Sequence, residues 1–354
     1  MAPIPATQTA VIAGPDGQFC ISKNHPVIAI EPDTIIIKTV AVALNPVDTK
    51  LAGDFVTPGV TFGFDCAGVV VAIGPNVKKD LKIGDRVCGS AAGMDKSRPA
   101  GGALVEYAAL LGDVCLRIPD NMSFEDAATV GVAINSAALA LFSSLKIDWK
   151  LLENPTDKPF PVLVYGGSTA VGTMAIQFLK LCGLRPITTC SPKNFDLVKS
   201  YGAEEAWDYR SPTCAQDIRA YCNNALLHAF DCITEETSMK ICYAAIGRAG
   251  GRYCALDPYP PHAATRKVVK PDWVVAFTIT GRPCLWPAPF ESPAHPEMLE
   301  WSVPMYRVLE KLLAEGKVRT HPARVSKGFE AILDGVGILR RKEVSGEKLV
   351  FTVG

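Results

Sequence analysis

The sequence predicts an α/β protein of two domains, one a doubly wound parallel sheet and the other rich in β-strands. Three observations carry this. A chain of 354 residues exceeds what one hydrophobic core ordinarily supports, so two domains of roughly 150 residues each are expected, with a cleft where they meet. Residues 1 to about 125 hold short β-branched runs broken by glycine and proline. Beyond them strand-like and helix-like segments alternate, and such alternation implies parallel strands joined by right-handed crossovers.

In the first region, 34–44, 68–73 and 85–89 read as strands. Ser123-Phe124-Glu125-Asp126 reads as a helix cap and first turn, and the alanine-rich stretch 134–142 as a helix opening the second domain. After a polar loop at 153–161 come strand 162–165, a turn, helix 172–182, strand 186–190 and helix 194–201, the start of a doubly wound sheet. Further strands are expected at 206–208, 229–233, 251–255 and 274–280, a helix at 304–315, and a last strand at 348–353. Prolines at 283, 287, 289, 293 and 296 make 280–301 an irregular surface loop. Because strand texture returns at the end, the chain is expected to cross back and complete the first domain. The predicted division is 1–125 with 305–354 for the β-rich domain and 126–304 for the sheet domain.

Composition removes several functions. Lysine plus arginine equals aspartate plus glutamate at 36 each, and the basic residues are scattered, so no nucleic-acid footprint is present. Twelve cysteines spread along a large chain without a Cys-x-x-Cys pair read as buried free thiols. The first residues lack a basic segment followed by an apolar one, and no uninterrupted apolar run reaches about 18 residues, so no membrane association and a cytoplasmic location are expected. That compartment keeps thiols reduced.

Chemistry concentrates at Tyr165-Gly166-Gly167-Ser168-Thr169-Ala170-Val171-Gly172. Glycines after a buried strand let the backbone approach a pyrophosphate, and the N–H groups at the next helix start bind the anion. A plain strand-to-helix turn would look the same. The end of the following strand discriminates. An NAD enzyme places a carboxylate there to hold the ribose diol. Here the sequence is Ser191-Pro192-Lys193-Asn194, with a hydroxyl, an ammonium and a helix start suited to a phosphate monoester, and Tyr209 and Arg210 follow the next strand. Lys193 alone could be a solvated lysine. With Ser191 and Tyr209 in register, NADPH is the expected cofactor.

Asn45-Pro46-Val47-Asp48-Thr49-Lys50, Gly63-Phe64-Asp65-Cys66-Ala67-Gly68 and Gly84-Asp85-Arg86-Val87-Cys88-Gly89 resemble the successive signatures of medium-chain dehydrogenase/reductases, in their zinc-independent quinone and enoyl reductase branch. Residues 165–170, 190–197, 202–205 and 262–267 narrow the resemblance to the trans-acting enoyl reductases that serve fungal polyketide synthases and polyketide synthase-peptide synthetase hybrids. The resemblance implies a GroES-like substrate domain beside a Rossmann NADPH domain. It departs from many relatives at Thr169 and Ala170, where they carry glycines, so the pyrophosphate contact would lean on Gly166, Gly167 and the hydroxyls of Ser168 and Thr169.

No metal is expected. The stretch from Cys88 to Cys115 has only its two end cysteines and no histidine, and Cys66 is an isolated thiol. Without a metal to polarise a ketone, reduction of a C=C conjugated to a thioester is the natural chemistry. The resemblance implies catalytic roles for Lys50 and for Ser136, placed at the start of the alanine-rich helix, and cofactor contacts from Asn45, Pro46, Val47 and Asp48, from Leu256 and Asp257, and from Val344 and Ser345. It implies substrate contacts from Gly131, Val132, Ala133, Ile134, Asn135, Ser136, Ala137 and Ala138, and from Phe277, Thr278, Ile279, Thr280 and Gly281. For Lys50 a surface lysine, for Ser136 a helix-start residue and for 277–281 a core strand are the competing readings.

The expected partner is a synthase presenting its substrate on an acyl carrier protein. Because the proline-rich segment follows the strand expected at the sheet edge, a monomer is predicted. Two other functions stay open: a stand-alone quinone or small-enone reductase, and a non-catalytic NADPH-binding interaction protein.

Overall fold

The computed structural model describes residues 3–353. The chain forms two compact units, one built from the residues up to Val132 and from Phe277 onward, the other from Ala133–Ala276. The crossings thus fall at 132/133 and 276/277, where the sequence placed them at 125/126 and 304/305. Side chains explain the second shift. Arg282 is clamped by Glu31 at 2.6 Å and Asp33 at 2.7 Å, and Trp286 Nε1 donates to the Met94 carbonyl at 3.1 Å, which ties the segment after 277 into the first unit.

The second unit is a six-stranded parallel sheet in the order Glu205–Asp208, Arg185–Cys190, Pro161–Tyr165, His228–Asp231, Gly251–Ala255, Val269–Trp273. Order reverses beside Pro161–Tyr165, the first strand of the sheet, and ligands bind at such switch points, beyond the carboxyl ends of the strands. The strand expected at 274–280 is displaced. The edge strand is Val269–Trp273, and Ala276–Thr280 forms a 3-10 turn. The edge strand carries Pro271, which has no N–H to offer a further strand.

The first unit holds a seven-stranded sheet in which Lys348–Thr352 pairs antiparallel with Thr34–Ala43, and that strand pairs with Asp65–Ile73. Thr7–Ala13 and Phe19–Pro26 form a separate hairpin. The helix expected at 304–315 runs Pro296–Ala314, starting eight residues before the predicted 304, with Pro304 inside it. Proline at the first helical position suits a helix start, so Pro296, counted among the loop prolines, opens the helix instead.

Ser123 caps the short helix Phe124–Ala127 by accepting from the Asp126 amide at 3.0 Å, as the capping pattern predicts. The alanine-rich helix begins at Gly131, three residues early, and runs to Ala138 before a π-helical stretch Leu139–Ser144. By length and composition Phe124–Ser144 could cross a membrane, but it is interior to the protein.

Candidate functional site

Strand register aligns the predicted cofactor residues. Tyr165 pairs with Thr189 and with Asp231, Cys190 with Asp208, and Asp231 with Ala255. Gly166, Ser191, Tyr209 and Leu256 therefore emerge along one edge of the sheet, at its carboxyl end. The side chains of the Tyr165 and Tyr209 rings lie 6.1 Å apart, centroid to centroid. Lys193 and Pro192 are exposed and Ser191 half-buried, in a 3-10 turn Pro192–Asn194, while Asn194 is buried. Arg210 is taken up by Asp208, with bonds of 2.9 and 3.0 Å.

The glycine turn is built for close approach. Gly166 has φ of 81°, a conformation that favours glycine, and a Cβ on Gly167 would fall 2.0 Å from Thr188 Oγ1. The amides of Gly166 and Gly167 both donate to the Thr189 carbonyl, at 3.1 and 3.0 Å, so these glycines shape the turn while their N–H groups are already used. The Thr169 hydroxyl is engaged likewise. Its hydroxyl caps the helix Ala170–Leu181 by accepting from Gly172 N at 2.9 Å, and it donates to the Gly166 carbonyl at 2.8 Å. A glycine there would lose that lock. Ala170 and Val171 are the first helical residues, whose N–H groups have no partner within the helix. With the half-buried Ser168, they offer the anion-binding donors, and the turn fits a dinucleotide pyrophosphate.

Asp231, which sequence reasoning missed, holds the loop across the switch point. Its Oδ1 accepts from the amides of Ile233 and Thr234 at 2.9 and 3.0 Å, and its Oδ2 from Ser238 Oγ at 2.6 Å and Tyr253 Oη at 2.8 Å. Burial pushes its carboxyl up, against those four bonds. Thr234 Oγ1 then accepts from Leu256 N at 3.1 Å, which fixes the 255–257 loop, where Leu256 and Asp257 are half-buried. The only sequence signal was an aspartate closing an apolar strand.

In the first unit, the Asn-Pro-x-Asp-x-Lys segment forms the helical turn Pro46–Lys50. Asn45 and Asp48, expected to touch a cofactor, have buried side chains engaged within the unit. Asp48 Oδ2 accepts from Asn45 N at 2.7 Å, while Asn45 Nδ2 donates to Asp65 Oδ2 at 2.8 Å. Lys348 Nζ reaches Asp65 Oδ2 at 2.5 Å and Asn45 Oδ1 at 2.9 Å. Asp65 Oδ1 accepts from Val132 N at 2.7 Å, at the start of the helix Gly131–Ala138, and a Cβ on Gly131 would fall 2.5 Å from that oxygen. Pro46 and Lys50 are exposed and Val47 half-buried, so the outer face of the turn is what can meet a ligand.

Ser136 lies inside its helix, buried with Asn135, instead of at the helix start. Val344 is half-buried and Ser345 exposed in the loop before Lys348–Thr352. Of 277–281, Ile279 and Gly281 are buried, and Phe277, Thr278 and Thr280 are half-buried in the 3-10 turn rather than a strand. Cys66 is buried, and burial pushes its thiol well above the usual range. Among the described residues no group of three or more His, Cys, Asp or Glu is placed to hold a metal.

Two outcomes follow. Lys348→Met leaves Asp65 buried without its cation, and removing one member of such a pair costs about 3–5 kcal/mol, read as a lowered denaturation midpoint; an unchanged midpoint would show that the pair is dispensable. Burial pushes Asp48 up to about 7 in the folded protein. Since its unfolded value is lower, the unfolded chain loses that proton first as pH rises, and stability from this group declines towards and through about pH 7. Asp48→Asn keeps the bond to Asn45 N but does not titrate, so its melting temperature should gain on wild type between pH 5 and 8. A constant difference across that range would contradict this.

Comparison with known proteins places the chain. The profile of the alcohol dehydrogenase GroES-like domain matches residues 31–120, and that of the zinc-binding dehydrogenase family matches residues 170–258. Trans-enoyl reductase buaC of Petromyces alliaceus is 59% identical over 349 residues, covering 98% of each chain. Trans-enoyl reductase FSL5 of Gibberella zeae is 44% identical, covering 100% of this chain and 99% of its own. Among solved structures, the CurK enoyl reductase superposes with a TM-score of 0.74 at 19% identity over 98% of this chain and 99% of its own, and the quinone oxidoreductase from Coxiella burnetii with 0.70 at 22% over the same shares. At such identities the structures establish the fold alone. With its GroES-like unit, its six-stranded Rossmann sheet and full-length relatives of this kind, the chain belongs to the medium-chain dehydrogenase/reductases, a family of nicotinamide-dependent oxidoreductases.

Proposed function

We propose that this protein is a trans-acting enoyl reductase, which uses NADPH to reduce the α,β-double bond of a polyketide thioester carried by a partner synthase. The observation that carries the reading is the full-length likeness to several trans-enoyl reductases, up to 59% identity. NADPH is supported over NADH by Ser191-Pro192-Lys193, a carboxylate-free segment just beyond strand Arg185–Cys190, with Tyr209 in register beside it.

In this reading Ser168, Ala170 and Val171 take the pyrophosphate on their amides, and Ser191, Lys193 and Tyr209 take the 2′-phosphate. Bound there, NADPH supplies a hydride equivalent to Cβ of the conjugated thioester. Lys50, on the exposed face of its turn, donates to the thioester oxygen, where negative charge develops as Cβ is reduced. A proton at Cα completes the reaction. Ser136 offers a hydroxyl from the interior of its helix. The likeness to this family further implies cofactor contacts from Pro46, Val47, Leu256, Asp257, Val344 and Ser345, and Asn45 and Asp48 hold the turn that carries Lys50.

The synthase presents the acyl chain on its carrier protein. The twelve free thiols, ten of them buried, fit a reducing cytoplasm. Pro271 in the edge strand disfavours extension of the sheet by a second copy, so light scattering at micromolar concentration should give a mass near 37.9 kDa. Twice that mass would refute the monomer.

Turnover of NADPH with an α,β-unsaturated pantetheine thioester, compared with simple quinones, tests the reaction. Thioester reduction should dominate; fast quinone turnover without it identifies a quinone reductase, and cofactor binding without turnover of either identifies a non-catalytic protein. Lys193→Ala should raise the KM for NADPH about tenfold or more and leave that for NADH unchanged, since a charge-assisted phosphate bond is worth about 1.5–3 kcal/mol. Equal effects on both cofactors would remove the 2′-phosphate assignment.

A further inference from the structure

The first unit contains a pocket lined in part by Phe277 and Thr280, two of the residues expected to contact substrate, and in part by residues that the sequence reading did not single out. It is a partly open cleft between Phe64, Ala92, Leu111, Phe277, Leu285 and Trp286, with about 620 Å3 of space when the adjoining solvent is counted. One wall is the proline-rich segment itself. Cys284 and Ser292 exchange two backbone hydrogen bonds, at 3.0 and 3.1 Å, closing the segment into a ring. Trp286 lies within that ring and is buried to 8% exposure.

Trp286 is held from several sides. Its Nε1 donates to the Met94 carbonyl at 3.1 Å. Its ring meets Phe277, Phe64, Phe290 and Phe55 edge-on, with centroids 5.0, 5.9, 6.0 and 6.1 Å away. Two of these lead back to the Lys50 turn. Phe55 ends the 3-10 turn that follows it, and Phe64 precedes Asp65, whose carboxylate holds Asn45.

The charged groups in the lining are already engaged. Arg98 pairs with Glu31 at 2.8 Å, Arg282 with Glu31 and Asp33, and Asp95 accepts from Ser97 N and Oγ at 2.9 and 2.6 Å. An anion would find no uncommitted cation among these groups, whereas the aromatic walls suit a hydrocarbon. Such apolar pockets with a few fixed polar groups are where ligands bind.

We propose that this pocket takes the distal part of the substrate's acyl chain and that Trp286 sets the chain length accepted. The inference rests on the enoyl thioester reading, and it makes the proline-rich segment a specificity element. A chain too short to reach Trp286 is indifferent to it, whereas a longer one gains apolar burial with each methylene until it meets the indole.

Calorimetric titration of the NADPH-loaded protein with saturated acyl-pantetheines from four to twelve carbons reads the pocket without turnover. Affinity should rise about fourfold per methylene, from about 0.8 kcal/mol each, and then stop rising. Trp286→Ala should leave the four-carbon affinity within twofold and move the plateau to longer chains. Trp286→Phe, which keeps a ring but not the bond to Met94, should keep the plateau near its original length. Phe290→Leu, which thins the packing behind the indole, should shift it in the same direction as Ala by less, and serves if the Ala variant does not fold. Affinity independent of chain length in the wild type, or one profile shared by all variants, would overturn the proposal. The two readings separate cleanly: length-dependent binding without enoyl reduction would sink the proposed reaction and keep the pocket, while reduction of a four-carbon enoyl thioester with length-independent binding would do the reverse.

Discussion

The arrangement of the first unit depends on one buried ion pair, Lys348 with Asp65. Both side chains are nearly inaccessible, at 5% and 0% exposure, and two desolvated charges are tolerable only when their remaining hydrogen-bonding capacity is filled. Asn45 fills it, donating to Asp65 and accepting from Lys348, and Val132 N takes the other carboxylate oxygen. The strand registers make this possible. Ala43 pairs with Asp65 on one side and Val350 on the other, so three chain segments distant in sequence deliver their polar groups to one point. A slip of one residue in either ladder would turn the charge to the opposite face of the sheet.

The second unit solves a similar problem with neutral partners. Asp231 is buried without a cation among its hydrogen-bond partners, and two amides and two hydroxyls satisfy it. The result is a rigid floor beside the glycine turn. Ile233, oriented by the Asp231 bond to its amide, lies 3.0 Å from where a Gly166 side chain would begin. One carboxylate thus shapes the turn that presents Lys50, and another braces the glycine loop.

Much of this was legible from residue order. The doubly wound sheet followed from alternating apolar strands and helices, and strand 251–255 was placed to the residue. What escaped had physical reasons. Phe277–Thr280 reads as strand because β-branched and aromatic residues favour extended backbone, yet here the chain is leaving one unit for the other and tightens into a 3-10 turn. Thr169 reads as a ligand residue because its hydroxyl follows glycines, but a threonine before a helix is first of all a cap. Asn45 and Asp48 occupy a recognisable signature, and only the fold reveals that they face inward to Asp65 and Lys348. The domain boundary near 277 depended on Arg282 and Trp286 finding partners some 190 to 250 residues earlier, information that no local pattern contains.

The path of the chain through its two units also sets an order of events during synthesis. Ala133–Ala276 is continuous, and all six strands of its sheet have been made before residue 277 appears. The other unit is made in two instalments. Asp65 belongs to the first instalment, but its cation lies 283 residues further along the chain. While the ribosome adds the intervening residues, a carboxylate destined for a dry interior has no counter-charge, and the central strands Thr34–Ala43 and Asp65–Ile73 lack the strand Lys348–Thr352 that completes their sheet. The continuous unit thus has all its sheet strands in hand while the β-rich unit still lacks the strand Lys348–Thr352, whose arrival supplies both the missing ladder and the missing cation.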